Sequence, residues 1–320
     1  MACYHPHHVY QQVNPAPSGK RPVSFNVAKC VGNPLYVPIT LPCGVCAGCK
    51  FERSRQWAIR CMHEASLHTC NCVVTLTYDN DHLPPDGSLI KRDVQLWLKR
   101  LRKRYPDYPI QYYYCGEYGA RFGRPHYHIC LFGFDFVDRV LYKRTGAGSL
   151  IYRSAILESL WTAGYSTVGD LTYESAAYVA RYILKKQFGA KSIDHYNLID
   201  YTTGEVIESK LPEYNNMSLK RPIGQGWIDA HLQSVYNIDA VMVRNHKGRL
   251  VRNKPPRYYD GRYELYYPDE LRIIKERRRE AASLLEHDNT PDRLATKERY
   301  LTLTILQQLR RDYENDTTTL

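Results

Sequence analysis

Between residues 111 and 133 apolar and polar positions alternate in two runs separated by a glycine-bearing break. In Pro125-His126-Tyr127-His128-Ile129-Cys130-Leu131 the period of two predicts a β-strand, with His126 and His128 on one face and Tyr127 and Ile129 on the other. Tyr112 to Tyr118 is a second β-rich run, and Gly119 to Arg124 reads as the connecting turn, so the pair predicts a hairpin. Glu117, at the end of the first strand, is placed to fold back beside the two histidines.

Elsewhere the period lengthens to that of a helix. Lys50 to His68 and Arg92 to Tyr105 predict helices, the second with Val94, Trp97, Leu98, Leu101 and Tyr105 on one stripe. Residues 173–188 predict a third, with Thr172 as N-cap and no breaker before Gly189. On that helix Ala176, Val179, Ala180, Ile183 and Leu184 fall on one apolar arc. Tyr178, Tyr182 and Lys185 gather on the opposite side, so the tyrosines are expected to avoid the core. Between these helices lie a strand at Cys72 to Tyr78, a loop at Asp79 to Ser88, a glycine-containing loop at Arg144 to Leu150, a short helix at Ser154 to Trp161 and a strand at Tyr165 to Asp170. The resulting order predicts an α+β fold, an antiparallel sheet covered by helices.

The ends of the chain carry weaker patterns. Residues 1–40 are rich in His, Pro and Tyr without sustained periodicity and predict an irregular arm. Beyond residue 190, a short helix through Tyr236 and a basic hairpin around Lys247-Gly248 are expected. Arg257 to Tyr267 interleaves aromatic and basic residues, a pattern that either packs a core or stacks single-stranded bases, core packing being favoured. Leu271 to Leu285 and Asp292 to Leu309 predict charged C-terminal helices.

Composition narrows the function. With 320 residues, 43% of them apolar, the chain can bury a sizeable core. Its 44 Lys and Arg against 33 Asp and Glu give a net charge of +11, which favours a polyanionic partner. No apolar run approaches the ~18 residues of a membrane span, and MACYHPHHVYQQ has no signal-peptide core, so no membrane association and a cytosolic location are expected.

Ten cysteines in such a chain argue for free thiols or metal. Cys61, Cys70, Cys72, Cys115 and Cys130 fall in helix or strand patterns and are expected in the core. Cys43, Cys46 and Cys49 have the tight spacing of a thiolate cluster, and Cys3, Cys30 or Cys61 can supply a fourth ligand to a structural Zn2+. The alternative is that they pack a glycine-rich turn.

Two imidazole nitrogens and a carboxylate oxygen suit Mn2+ or Mg2+ as a Lewis acid, so Glu117, His126 and His128 form a candidate metal site against the alternative of a surface histidine pair. Two phenols and a lysine on an apolar-backed helix form a candidate nucleophile display. Arg100 and Lys103 on the second helix, with Arg121 and Arg124 in the hairpin turn, are candidate DNA-phosphate contacts.

His-Tyr-His followed by Tyr178-x-x-x-Tyr182-x-x-Lys185, with Val73-Val74-Thr75-Leu76-Thr77-Tyr78 upstream, resembles the HUH endonucleases, specifically the two-tyrosine replication initiators of small single-stranded DNA phages. PCGVCAGCKFERSRQWAIRC and EYNNMSLKRPIGQGW are similar to the gokushovirus branch of the Microviridae. The resemblance spans roughly residues 40–265.

The resemblance implies a ferredoxin-type (RRM-like) HUH core, with His126 and His128 as ligands to Mg2+ or Mn2+ and a polar neighbour, here Glu117, completing the site. It implies Tyr182 and Tyr178 as nucleophiles, Tyr182 being the safer assignment because Tyr182-x-x-Lys185 also matches the single-tyrosine motif, with Lys185 or Lys186 neutralising charge. The expected activity is site-specific nicking and joining of single-stranded DNA in rolling-circle replication. The expected partners are origin DNA and the host helicase and polymerase, in the bacterial cytoplasm.

The expected segmentation is 1–65 (arm, Cys-rich turn and helix), 66–190 (catalytic domain), 191–265 (basic and aromatic extension) and 266–320 (C-terminal helices). A relaxase or single-tyrosine transposase is a second enzyme reading, although relaxases place the tyrosine before the histidines. A non-catalytic, zinc-stabilised nucleic-acid-binding protein is the alternative from another class.

Overall fold

In the computed structural model, which describes residues 3–17, 21–119, 122–146, 148–181, 191–199, 202–203, 205–244 and 248–312, strand pairing starts near the N-terminus. β1 (His7–Gln12), β2 (Val23–Ser24) and β3 (Tyr36–Leu41) form an antiparallel sheet in the order β2-β1-β3, with the one-turn α1 (Val27–Cys30) between β2 and β3. Residues 1–40 are therefore not the irregular arm that their composition predicts. Backbone donors and acceptors pair along the whole of β1, from His7 opposite Leu41 to Gln12 opposite Tyr36, and such pairing needs no side-chain alternation.

The chain divides into two units, residues 1–52 with 279–304, and residues 53–278 with 305–320. The first contains β1 to β3, the Cys-rich turn, the start of α2 (Ala47–Ala65) and much of the C-terminal helix. Among its described residues the buried apolar ones are Cys3, Val9, Cys30, Cys46 and Leu294, a thin core in which three of five are cysteines.

The second unit is built on a seven-stranded antiparallel sheet. Its elements in chain order are β4 (Asn71–Tyr78), α3 (Lys91–Arg104), β5 (Gln111–Tyr118), β6 (Pro125–Phe132), β7 (Val140–Arg144), β8 (Leu150–Arg153), α4 (Ala155–Leu160), β9 (Gly164–Asp170) and α5 (Tyr173–Arg181). They are followed by α6 (Lys191–Tyr196), β10 (Asn197–Ile199), β11 (Val206–Ser209) and β12 (Tyr214–Met217), and the sheet order is β12-β5-β6-β4-β9-β8-β7. The predicted α+β fold, an antiparallel sheet covered by helices, is the one observed. The β7–β8 hairpin and β12 had no counterpart in the sequence reading. β7 is largely exposed, and Tyr-Asn-Asn-Met carries no strand pattern, so β12 forms because β5 offers it an unpaired edge.

Period-two patterning assigns the two faces. Cys72, Val74, Leu76 and Tyr78 of β4, with Tyr127, Ile129 and Leu131 of β6, pack against Val94, Trp97, Leu98 and Leu101 of α3 and against Leu157, Leu160 and Trp161. On the other face Tyr113, Cys115, Cys130 and Phe132 meet Cys61 and Ala65 of α2 and Ala176, Tyr178, Val179 and Ala180 of α5. Cys61, Cys72, Cys115 and Cys130 are buried as expected, whereas Cys70 is only half-buried because it precedes the strand.

A further cluster unites Ile59 with α7 (Gln225–Asn237), β13 (Val241–Arg244), α8 (Arg257–Glu264) and α9 (Pro268–Ser283), β13 pairing with β14 (Leu250–Asn253). Tyr259 and Tyr263 are buried here, so the aromatic-basic stretch supplies core, in keeping with the favoured reading. The last helix is α10 (Pro291–Asp312). Among the described residues no helix is long and apolar enough to cross a membrane.

Candidate metal centre and tyrosine helix

Antiparallel register sets the site. On β5 and β6, Glu117 lies opposite His126 and Cys115 opposite His128, and on β4 Thr75 lies opposite His128. Alternation sends Glu117, His126, His128 and Thr75 to the α2/α5 face and sends Tyr127 the other way. There the Tyr127 hydroxyl accepts from Ile90 N at 2.7 Å and bonds Ile90 O at 3.0 Å, which pins β6 to the start of α3. The turn is closed by Gly119 N donating to Arg124 O at 2.9 Å, with Gly123 at φ 61°, a left-handed conformation that favours glycine.

Both Nε2 atoms converge on one carboxylate oxygen. His126 Nε2 is 2.6 Å and His128 Nε2 3.2 Å from Glu117 Oε1, and the three residues' donor atoms lie within 4.8 Å of one another. Ligands at right angles and about 2.1 Å from an ion stand roughly 3 Å apart, so the spacing matches a small divalent cation. Glu117 and His128 are almost fully buried. Burial pushes the Glu117 carboxyl up, but the neighbouring imidazoles of His126 and His128 outweigh it and hold it down to about 2.

Proton placement tests the fit. His126 Nδ1 is 3.0 Å from Arg124 O, which only accepts, so Nδ1 carries the hydrogen. In a neutral ring Nε2 then presents a lone pair to the Glu117 carboxylate, and two acceptors face each other at 2.6 Å. A second proton or a cation between them resolves the conflict, and a ligating histidine characteristically donates its other N–H to a backbone carbonyl. His128 Nδ1 is braced in the same manner by Thr75 Oγ1 at 3.0 Å. Thr75 is a site residue that the motif reading passed over. Its signal was available in the alternation of Val73, Thr75 and Thr77, which places all three on the histidine face.

The tyrosine helix lies on this face. Thr172 Oγ1 accepts from Ser175 N at 3.1 Å and caps α5. Tyr178 is 7% exposed, and its ring meets that of His128 edge to face at a centroid distance of 5.3 Å. The expectation that the tyrosines avoid the core is thus corrected at Tyr178. The arc of α5 that meets the sheet includes Tyr178 together with Ala176, Val179 and Ala180, because the surface it meets carries the polar cluster as well as apolar side chains. Tyr182, Lys185 and Lys186 lie outside the described residues, as does Arg121.

The other basic candidates separate. Arg124, half-buried in the hairpin turn, donates to Tyr78 O at 2.8 Å and to Asn80 Oδ1 at 2.5 Å, beside His126 in sequence. Arg100 and Lys103 are exposed on α3, across the sheet from the histidines, and Arg100 Nε donates to Leu160 O at 3.0 Å. The structure does not bring these two to the cluster, because the apolar stripe of α3 commits it to the opposite face.

A second group of potential ligands, Cys3, Cys43, Cys46 and Cys49, occurs in the first unit. Cys3 is the fourth member, whereas Cys30 is buried at the end of α1 and Cys61 in the core of the second unit.

The family of the ORF2-type replication-associated proteins matches residues 71–187, which span the sheet from β4 through the tyrosine helix. Replication-associated protein ORF2 of Spiroplasma virus 4 is 32% identical over 299 residues, covering 88% of this chain and 87% of the relative. Replication-associated protein VP4 of Bdellovibrio phage phiMH2K is 32% identical over 235 residues, covering 71% and 69%. Replication-associated protein ORF4 of Chlamydia phage 1 is 39% identical over 154 residues, covering 46% and 38%. No solved structure matches the chain. With the two-histidine strand, its carboxylate partner and the adjoining tyrosine helix in one fold, the chain belongs to the replication-associated proteins of the Microviridae, as a replication initiator of these small phages.

Proposed function

We propose that this initiator is a metal-dependent, site-specific single-strand DNA endonuclease and strand transferase that starts rolling-circle replication at the viral origin. The observation that carries the reading is the contact of Tyr178 with His128, which sets a phenol against a His-His-Glu donor set. Bound at Glu117, His126 and His128, Mg2+ or Mn2+ supplies Lewis acidity to an oxygen of the scissile phosphate.

The chain's own groups do the rest. The carbonyl of Arg124 and the hydroxyl of Thr75 fix the imidazole planes, and the buried Glu117 carboxylate supplies the negative charge that offsets a cation. A tyrosine oxygen, from Tyr178 or Tyr182, attacks phosphorus as the P–O3′ bond breaks. The phosphate stays on the tyrosine as a 5′-phosphotyrosine, and the departing 3′ oxygen takes up a proton to become a free hydroxyl. Lys185 and Lys186 offset the charge that develops on the phosphate. Because the phosphotyrosine diester retains the energy of the broken linkage, the reverse attack rejoins the strand without ATP. Two tyrosines permit alternation, one holding the displaced strand while the other cuts the regenerated origin. The free 3′-OH would prime a host polymerase, with a host helicase opening the duplex, in the bacterial cytoplasm.

The test is incubation of the full chain with labelled circular single-stranded DNA carrying the candidate origin, with and without Mn2+, followed by a denaturing gel. A metal-dependent covalent adduct that is absent in His126→Ala and in the Tyr178→Phe/Tyr182→Phe double variant supports the reading. An adduct that persists in the double variant rejects the tyrosines. Tight DNA binding without any adduct under all metal conditions rejects the enzyme in favour of a binding module.

A further inference from the structure

The first unit gathers four thiols around one point. Cys3, near the N-terminus, meets Cys43, Cys46 and Cys49 of the turn that opens α2, and the four Sγ atoms lie within 4.8 Å of one another. Cys46 Sγ and Cys3 Sγ are 4.0 Å apart. That is about twice a disulfide bond length of ~2.05 Å. It is close to the ~3.8 Å that separates thiolates at tetrahedral corners around an ion bound at about 2.3 Å. All four cysteines are free.

The backbone is arranged for sulfur carrying negative charge. Cys43 N donates to Cys3 Sγ at 3.2 Å, Cys46 N to Cys43 Sγ at 3.3 Å, and Cys49 N and Tyr4 N both to Cys46 Sγ at 3.4 Å. Amides aimed at sulfur in this manner favour thiolate over thiol. Four soft thiolates converging with tetrahedral spacing select Zn2+ over the oxygen-seeking Mg2+.

The thin core supplies the structural reason. With Cys3, Val9, Cys30, Cys46 and Leu294 as its buried apolar side chains among the described residues, this unit removes little apolar surface from water, and units with small cores are ordinarily stapled by metal or disulfides. Glu298 of α10 reaches the same knot, accepting from Ala47 N at 3.2 Å and pairing with His5 Nε2 at 2.5 Å. An ion held by the four sulfurs would tie the N-terminal segment to the turn that starts α2, between ligands 40 residues or more apart in sequence.

We propose that Cys3, Cys43, Cys46 and Cys49 bind one structural Zn2+ as a tetrathiolate, separate from the Glu117-His126-His128 centre and independent of the catalytic reading. The full chain, purified under reducing conditions, is expected to hold about one zinc per molecule, retained in His126→Ala and lost in Cys3→Ser. Cobalt in place of zinc should give intense sulfur-to-cobalt charge-transfer bands and the strong visible bands of a tetrahedral ion. Should Cys3→Ser fail to fold, alkylation of the unmodified protein decides. Zinc should protect these four cysteines, and chelation should expose them. Absence of bound zinc and of cobalt-thiolate bands, zinc lost in His126→Ala but kept in Cys3→Ser, or equal alkylation with and without zinc would each overturn the proposal.

Discussion

Glu117 and His126 face each other directly across the β5–β6 ladder, with Oε1 2.6 Å from Nε2 and the other imidazole nitrogen committed to the Arg124 carbonyl. The pairing is one of register, and a slip of one residue on either strand would turn one partner to the opposite face.

Glu117→Ala is expected to weaken Mn2+ binding by more than about 10- to 100-fold, the loss typical of removing a partner one shell further out. Calorimetric titration of the metal-free protein measures it. Unchanged affinity would remove Glu117 from the donor set.

Thr75→Val keeps the side chain's shape and removes the oxygen 3.0 Å from His128 Nδ1. Metal affinity should fall by about 10- to 100-fold with little change in melting temperature, and Thr75→Ser should restore it. If serine and valine behave alike, the hydroxyl has no positioning role.

His63 sits beyond the metal face, stacked on Trp227 at 3.5 Å and bonded through Nδ1 to the Tyr259 hydroxyl at 2.9 Å. Burial lowers its pKa to about 3, helped by nearby His231 and opposed by a bond to the Met242 backbone. The folded state thus takes up its proton at lower pH than the unfolded chain, where the value is near 6.5. Its contribution is complete above pH ~6.5 and is lost as pH falls toward 3, at no more than about 1.4 kcal/mol per pH unit. Denaturant midpoints across this window should fall less steeply with acid in His63→Phe than in the parent. Parallel curves would contradict the assignment.

Gly164 and Gly261 should respond oppositely to alanine. At Gly164, φ is 144° and an added Cβ would lie 2.3 Å from Asp79 N and 2.4 Å from Thr77 O, backbone atoms that cannot yield, so a loss above about 1–3 kcal/mol is expected. Gly261 lies within α8 with nothing inside 4 Å of its Cβ position, and alanine there should stabilise by about 0.4–1 kcal/mol. Thermal melts of the two variants give the comparison.

Local periodicity determined a great deal by itself. Strict alternation in Pro125 to Leu131 assigned His126, His128 and Tyr127 to their faces, and the i, i+3/i+4 stripe of α3 identified Val94, Trp97, Leu98 and Leu101 as its buried side. Those assignments survive because the period follows from backbone geometry alone, and a half-buried sheet enforces it along its whole length.

What depended on partners distant in sequence was settled only in three dimensions. Polar β12 is a strand because β5 lends it an edge, and the largely exposed strands β1 and β3 form a sheet because their backbones pair. Tyr178 turns inward because the surface opposite α5 is His128 and its neighbours, which no helical wheel contains. Cys3 rather than Cys30 or Cys61 joins Cys43, Cys46 and Cys49 because the path of β1 and β3 returns it to that turn. Sequence carries the period of each element. Which face meets which other face is fixed only when long-range pairing closes the chain, since the free energy of those contacts exists only once both sides are present.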